Sequence, residues 1–295
     1  MKKVDFLGIE CIQIANDHIS ILATISVGPR ILSLQTHAGE NIFAELPDAT
    51  LECPGAGLFH FYGGHRLWHA PEDPQVTYLP DDTAVRATAI GNGIRLTQEK
   101  ESKTSLQKEL EIRLLDDLPA VEVRHILTNR GDRECTLAPW AITQLKPGGV
   151  AILPQFTDFI DNNPTLPNRS VVLWPYTDIN GEDITWGNET ILVHAHMKDG
   201  RLKIGFPNPV GWMAYWNKGS LFVKRTAFIQ GGEYFDRGSS SECYCDPRFL
   251  ELETLAPVSK LQPGGCIEHI EGWELYENIN WTDDLADILS VIRNG

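Results

Sequence analysis

The densest chemistry in the chain lies at residues 59–73, which run Phe-His-Phe-Tyr-Gly-Gly-His-Arg-Leu-Trp-His-Ala-Pro-Glu-Asp. Paired glycines let a backbone approach a ligand closely, and a histidine, an arginine, a tryptophan and two carboxylates follow directly. Such a mixture suits a sugar. An aromatic face stacks on the C–H side of the ring while charged and amide groups address its hydroxyls. Taken alone, the segment is expected to be a polar loop presenting Tyr62, His65, Arg66 and Trp68 to a ligand.

The second cluster is Leu250-Glu251-Leu252-Glu253-Thr254-Leu255. With the two-residue period of a strand, Glu251 and Glu253 share one face and the leucines the other. Neighbouring carboxylates raise one another's proton affinity, which suits a general base; a solvated outer face is the ordinary alternative. Strand alternation also puts Trp140, Ile142 and Gln144 on one side. A strand lysine such as Lys224 or Lys203 would neutralise a carboxylate or phosphate on a sugar, or else extend to solvent at an edge.

No metal site is expected. His60, His65 and His69 would need a helix to align, and the glycines before and Pro71 and Pro74 after them argue against one. His194 and His196 fall on one face of a strand, but the acid that follows is Asp199 in a Lys-Asp-Gly turn. The six cysteines include no Cys-x-x-Cys pair, so reduced thiols in a cytoplasm are expected, with no cofactor.

The elements that position these residues are short β-branched segments separated by turns. Ile12 and Ile14 lead through Asn16-Asp17 to Ile19, Ile21 and Ala23, which predicts a hairpin. Gly91-Asn92-Gly93 joins 83–90 to 94–98, and 116–119 turns the Leu110–Leu114 alternation into 121–127. Further pairs are expected between 194–196 and 202–204 through Lys198-Asp199-Gly200, between 212–216 and 221–224 through Asn217-Lys218-Gly219, and between 249–255 and 267–276 through Gln262-Pro263-Gly264-Gly265. Helical periodicity is clear only at the end. Thr282 caps it, Asp283 and Asp284 favour its N-terminus, Leu285, Ile288, Leu289 and Ile292 form its stripe, and Gly295 closes it, which places a helix over about 282–293.

The chain has 295 residues, 42% of them hydrophobic, enough for a sizeable core. It carries 25 Lys+Arg against 40 Asp+Glu, a net charge of −15 that counts against nucleic-acid or anionic-membrane partners. The N-terminal Met-Lys-Lys is followed by Asp5 and Glu10 rather than an apolar run, so no secretory signal is expected. One all-β domain over residues 1–295, ending in a short C-terminal helix, is the architecture these features predict.

With those segments in hand, the chain resembles the galactose mutarotase-like superfamily, and within it a bacterial branch. The resemblance follows nearly the whole chain in order: 48–54 leading to the Gly-Gly segment, Thr128-Asn129-Arg130-Gly131 before the Trp140 strand, and the C-terminal Leu-Glu-Thr strand. It implies an antiparallel β-supersandwich and a small-molecule carbohydrate as partner. In the aldose 1-epimerases of that superfamily a Leu-Glu-Thr-Gln strand carries the catalytic base, and Leu252-Glu253-Thr254-Leu255 matches three of the four, nominating Glu253. Their His-Gly-Gly element corresponds to Tyr62-Gly63-Gly64, with His65 just after it as the substitute acid. Their acid-bearing His-x-Tyr-Phe-Asn-Leu stretch falls on Trp140 with Gln144-Leu145 at Asn-Leu, so the usual histidine is missing. The resemblance therefore implies an isomerase of the aldose 1-epimerase kind, with Glu253 and His65 catalytic and Arg66, Trp68, Tyr62, Trp140, Gln144, Lys224 and Glu251 binding substrate. The absent histidine leaves a non-catalytic carbohydrate-binding or regulatory protein as the alternative.

Overall fold

A computed structural model describes residues 2–159 and 163–294. Two antiparallel sheets face one another. The first runs in the order Lys2–Phe6, Ile9–Ala15, Ile19–Thr24, Arg30–Thr36, Gly57–Ala70, Cys135–Leu145, Phe249–Leu255, Ser241–Asp246, Leu202–Phe206 and Val172–Leu173. Glu45–Cys53 and Ser259–Leu261 add to its Gly57–Ala70 and Cys135–Leu145 strands. The second runs Ile184–Trp186, Thr190–His194, Val150–Pro154, Trp212–Asn217, Ser220–Arg225, Cys266–Tyr276, Ala120–Asn129, Leu106–Leu114, Gly93–Thr97 and Arg86–Ile90.

Alternation sorts the side chains between layers. Leu67, Leu145, Leu250 and Leu252 from the first sheet meet Leu110, Val123, Tyr215, Phe222 and Trp273 from the second in one continuous apolar core. On the far side of the first sheet lies a second cluster, built from Phe59, Phe61, Trp68, Trp140, Ile142 and Phe249. The helix Ala286–Asn294 lies on the far side of the second sheet, burying Ile288 and Ile292 against Ile152, Ala214 and Val223.

The helix begins later than its periodicity predicts. Leu285 adopts φ +55 and its amide bonds the Thr282 carbonyl in a turn, so residues 282–285 are not helical. Asp284 rather than Thr282 supplies the cap, its Oδ1 accepting the Ala286 amide at 3.2 Å. Gly295, expected to close the helix, lies outside the described residues.

The Asn16-Asp17, Gly91-Asn92-Gly93, 116–119 and Asn217-Lys218-Gly219 hairpins form as predicted. Two others do not. Thr190–His194 belongs to the second sheet and Leu202–Phe206 to the first, so the turn at Gly200 crosses between sheets. Likewise Phe249–Leu255 pairs with Cys135–Leu145 and Ser241–Asp246, whereas Cys266–Tyr276 pairs across the sandwich with Ala120–Asn129 and Ser220–Arg225.

The segment expected to be a loop is the strand Gly57–Ala70. Its first half pairs with Glu45–Cys53 and its second with Arg30–Thr36 and Cys135–Leu145. Between the halves Tyr62, Gly63 and Gly64 have φ of 56, 91 and 67. The irregularity exchanges the two faces of the strand: Phe59 and Phe61 lie on the outer face before it, Arg66 and Trp68 after it. The glycines thus serve a backbone crossing rather than a ligand. A Cβ on Gly63 would strike the Ala44 carbonyl oxygen, and one on Gly64 the Ile31 carbonyl oxygen.

Between the sheets a polar network replaces apolar contacts. Lys224 Nζ donates to the carbonyls of Leu252 at 2.9 Å and Ala141 at 3.3 Å and pairs with Glu271 at 2.9 Å. Glu271 also accepts from Thr254 and, at 2.8 Å, from Trp273 Nε1. Beside it, Thr143 Oγ1 lies 2.9 Å from His65 Nδ1, His65 Nε2 lies 2.7 Å from His125 Nε2, and His125 Nδ1 lies 2.9 Å from the His269 carbonyl. One set of neutral tautomers satisfies all three contacts: Thr143 donates to His65, His65 to His125, and His125 to the carbonyl.

Two expectations follow. Gly64→Ala forces a side chain into a left-handed conformation against backbone, and should lower unfolding free energy by on the order of 3 kcal/mol in urea titration; a loss within error would refute the crossing. His65 and His269 are held well below the ordinary 6.5, first by burial, His269 down to about 3. Their imidazole 15N signals should therefore remain those of neutral rings at pH 5, where a solvated histidine is protonated.

Candidate active site

A cavity of about 380 Å³ opens on the outer face of the first sheet. Its size suits a monosaccharide. Its walls are aromatic: Phe61, Trp68, Tyr78, Trp140, Trp174, Tyr176, Tyr244 and Phe249. Between these rings stand Glu72, Glu251, Arg66, Arg201, Lys203 and Arg248.

Glu251 is held by two donors. Its Oε1 accepts from Arg66 Nη2 at 3.1 Å and Gln144 Nε2 at 3.0 Å. The Arg66 guanidinium in turn lies 4.2 Å over the Trp68 ring. Burial, then the neighbouring Glu253, push the Glu251 proton affinity up to about 7, against the pull of Arg66 and Lys203. A carboxyl in that range gains and loses protons readily at neutral pH.

Glu253 stands behind this front. It is wholly buried, and its Oε2 accepts from Trp140 Nε1 at 2.7 Å and Lys203 Nζ at 3.0 Å. Lys203 Nζ also lies 2.7 Å from Glu242 Oε2, with the Trp140 and Trp174 rings at 4.8 and 4.7 Å. Burial alone would lower the lysine's proton affinity; Glu242 and Glu253 reverse that and raise it well above 10.5. Across the cavity, Tyr78 Oη donates to Glu72 at 2.5 Å and its ring packs on Trp68 at 4.9 Å.

No protein-family model matches this sequence, and no curated protein matches it. Solved structures do share its architecture. A galactose mutarotase-like protein from Lactobacillus casei ATCC 334 superposes with a TM-score of 0.59 at 11% identity, covering 90% of this chain and 100% of that one. A galactose mutarotase related enzyme from Lactobacillus acidophilus gives 0.50 at 9%, covering 91% and 98%. A TPR-domain containing protein from Parabacteroides distasonis gives 0.61 at 14%, covering 93% of this chain and 48% of that longer one. This is the galactose mutarotase-like fold.

Within this mutarotase-like sandwich the residues singled out from sequence divide by face. Glu251, Arg66, Trp68 and Trp140 border the cavity. Gln144 and Glu253 are fully buried directly behind it, each bonded to a group that does. His65 and Lys224 are not brought there. Both are buried on the opposite face, in the polar network between the sheets, because the crossing at Gly63-Gly64 turns His65 inward and Lys224 comes from the second sheet. Tyr62 stacks on His60 and donates to Asp82 at 2.8 Å, away from the cavity. His65 and Glu253 therefore do not face one cavity.

His65, His125 and Glu271 also converge closely enough to hold a metal ion. The hydrogen-bond chain already uses both facing histidine nitrogens, and the Lys224 ammonium already supplies Glu271 with a cation. The donor set accordingly fits a closed polar core better than a metal site.

Sequence reasoning passed over several residues of the wall and of the layer behind it. Glu242, Tyr244 and Asp246 alternate with Cys243 and Cys245 along Ser241–Asp246, the same signal that singled out Glu251 and Glu253. Of the two strand lysines named from sequence, Lys203, between Leu202 and Ile204, is the one that borders the cavity. Trp174 and Tyr176 come from an irregular stretch beside the two-residue strand Val172–Leu173, where no periodicity marks them.

The coupling of the two acids is measurable. Glu253→Gln removes the charge that, after burial, does most to raise Glu251, so the Glu251 side-chain 13C titration should move from about 7 towards the ordinary 4.5. An unmoved midpoint would show that the two do not interact.

Proposed function

We propose that this chain is a carbohydrate-active protein of the aldose 1-epimerase kind, interconverting the anomers of a sugar or sugar derivative in a single cytoplasmic domain spanning residues 1–295. The observation that carries the proposal is Glu251. Its Oε1 is fixed by Arg66 and Gln144, its Oε2 has no hydrogen-bond partner among the described residues, and it titrates near neutrality beside an aromatic-walled cavity.

Glu251, rather than Glu253, is the base in this reading. It takes the proton of the anomeric hydroxyl as the bond between C1 and the ring oxygen breaks and the ring oxygen is protonated. The resulting aldehyde turns about the C1–C2 bond, and the steps run backwards on the other face. Trp68, Trp140 and Tyr176 supply surfaces for the C–H face of the ring, and Arg66 keeps Glu251 pointed at the anomeric centre. Glu253 is a positioning residue, fixing Lys203 and Trp140 beneath the sugar.

A second reading is a binding protein without catalysis. What favours it is that no histidine borders the cavity among the described residues.

Saturation-transfer NMR of anomer exchange over free sugars, sugar acids and sugar phosphates decides between them. Accelerated exchange for one sugar, reduced about 100-fold or more in Glu251→Gln with binding retained, is the expected result. Binding without acceleration of any sugar would establish the binding protein instead.

A further inference from the structure

Anomer exchange needs an acid as well as a base, and the cavity offers Lys203 in a setting that its neighbours define. Lys203 projects from Leu202–Phe206 while Leu202 and Ile204 enter the inter-sheet core. Lys203 borders the cavity, and its ammonium lies within 3.0 Å of carboxylate oxygens from both Glu242 and Glu253. Those two acids are directly opposed in the register of Ser241–Asp246 and Phe249–Leu255, and both are wholly buried.

One ammonium cannot neutralise two buried carboxylates on facing positions, and a third acid, Asp236, faces Glu242 from the turn Phe235–Gly238. No other cation is paired with Glu242 or Glu253 among the described residues. Among the described residues, both Glu242 oxygens and Glu253 Oε1 lack a hydrogen-bond partner. A buried oxygen without a donor is costly, and a proton bound in the pair supplies one. Like charges held this close do not both ionise.

Resting on the reading of Glu251 as base, we propose that Lys203 is the general acid of this site and that Glu242 holds, as a neutral carboxylic acid, the proton that recharges it. As the C1–O5 bond breaks, its electron pair goes to the ring oxygen and a Lys203 Nζ–H bond is exchanged for an O5–H bond. The Glu242 Oε2–H bond is exchanged for a new Nζ–H bond, so Lys203 ends as ammonium and Glu242 as carboxylate. Glu251, having taken the anomeric proton, becomes neutral. The total charge of the site is unchanged, and ring closure reverses each transfer.

The groups facing Glu242 are Lys203 from Leu202–Phe206, Glu253 from Phe249–Leu255 and Asp236 from its own side. Burial, with the charges of Glu253 and Asp236, favours its neutral form, and Lys203 opposes this. Without a proton supplied from behind, an ammonium between two carboxylates is a poor donor. The stored proton removes that difficulty.

Infrared difference spectroscopy on the whole protein, well above the Glu251 midpoint, tests the store directly. The carbonyl stretch of a protonated buried carboxylic acid should be present, persist in Glu251→Gln and vanish in the near-isosteric Glu242→Gln. Its absence from the wild type, or its persistence in Glu242→Gln, overturns the proposal. Anomer exchange tests the acid. Glu242→Gln and Lys203→Met should each reduce it about 100-fold while sugar binding, followed by tryptophan fluorescence, is kept in Glu242→Gln. Exchange lost in Glu251→Gln but unchanged in both other variants would sink Lys203 as acid and leave the base standing. Exchange indifferent to Glu251→Gln would remove the base, and with it this inference.

Discussion

A single ammonium between the sheets fixes the floor of the site. Lys224 crosses from the second sheet and grips the carbonyls of Ala141 and Leu252, which lie in the two adjacent strands whose other faces carry Trp140, Gln144, Glu251 and Glu253. Its counterion Glu271 is held by Thr254 and Trp273, so each charge is matched by hydrogen bonds as well as by the other. Such a pair adds little net stability compared with apolar packing, but removing one partner from it costs about 3–5 kcal/mol. Its contribution is geometric. A slip of either strand would separate the carbonyls from the lysine and turn the carboxylates inward.

The outer face then has the opposite arrangement: four cations and two acids stand among aromatic rings, with Glu242 and Glu253 buried behind them. Trp140 lies between Trp68 and Lys203, and donates to Glu253 as well. Arg66 lies over Trp68 and donates to Glu251. The rings lower the local dielectric and also hold the cations in place, so stacking surface and acid–base behaviour share the same residues. This explains how a chain with net charge −15 maintains four cationic side chains around one cavity.

The β architecture was legible because its signals are local. Asn16-Asp17 and Gly91-Asn92-Gly93 specify tight reversals, and the Glu-Leu alternation at 250–255 identified a strand with a chemical face. The faces themselves could be paired but not placed. Lys198-Asp199-Gly200 and Gln262-Pro263-Gly264-Gly265 have the composition of hairpin turns, yet both carry the chain from one sheet to the other, because turn chemistry fixes a change of direction and not the destination. The same gap explains His65. Its neighbours suggested a ligand-facing loop, and nothing in residue types alone shows that Gly63 and Gly64 make room for the carbonyls of Ala44 and Ile31. The apolar pattern around Cys243 and Cys245 was as informative as that around Glu251, and it places Tyr244 in the wall and Glu242 behind Lys203.

The crossing at Gly63-Gly64 gives the protein an unusual relation to insertions and deletions. Along an ordinary strand, losing one residue exchanges core for surface and destroys the fold. Here the flanking halves are already anchored to different partners, so the two glycines act as a phase shifter whose length decides which of the consecutive residues His65 and Arg66 meets the cavity. A one-residue change in the crossing's length would turn His65, Leu67 and His69 outward and withdraw Arg66 and Trp68 together, so the crossing fixes two wall residues at once.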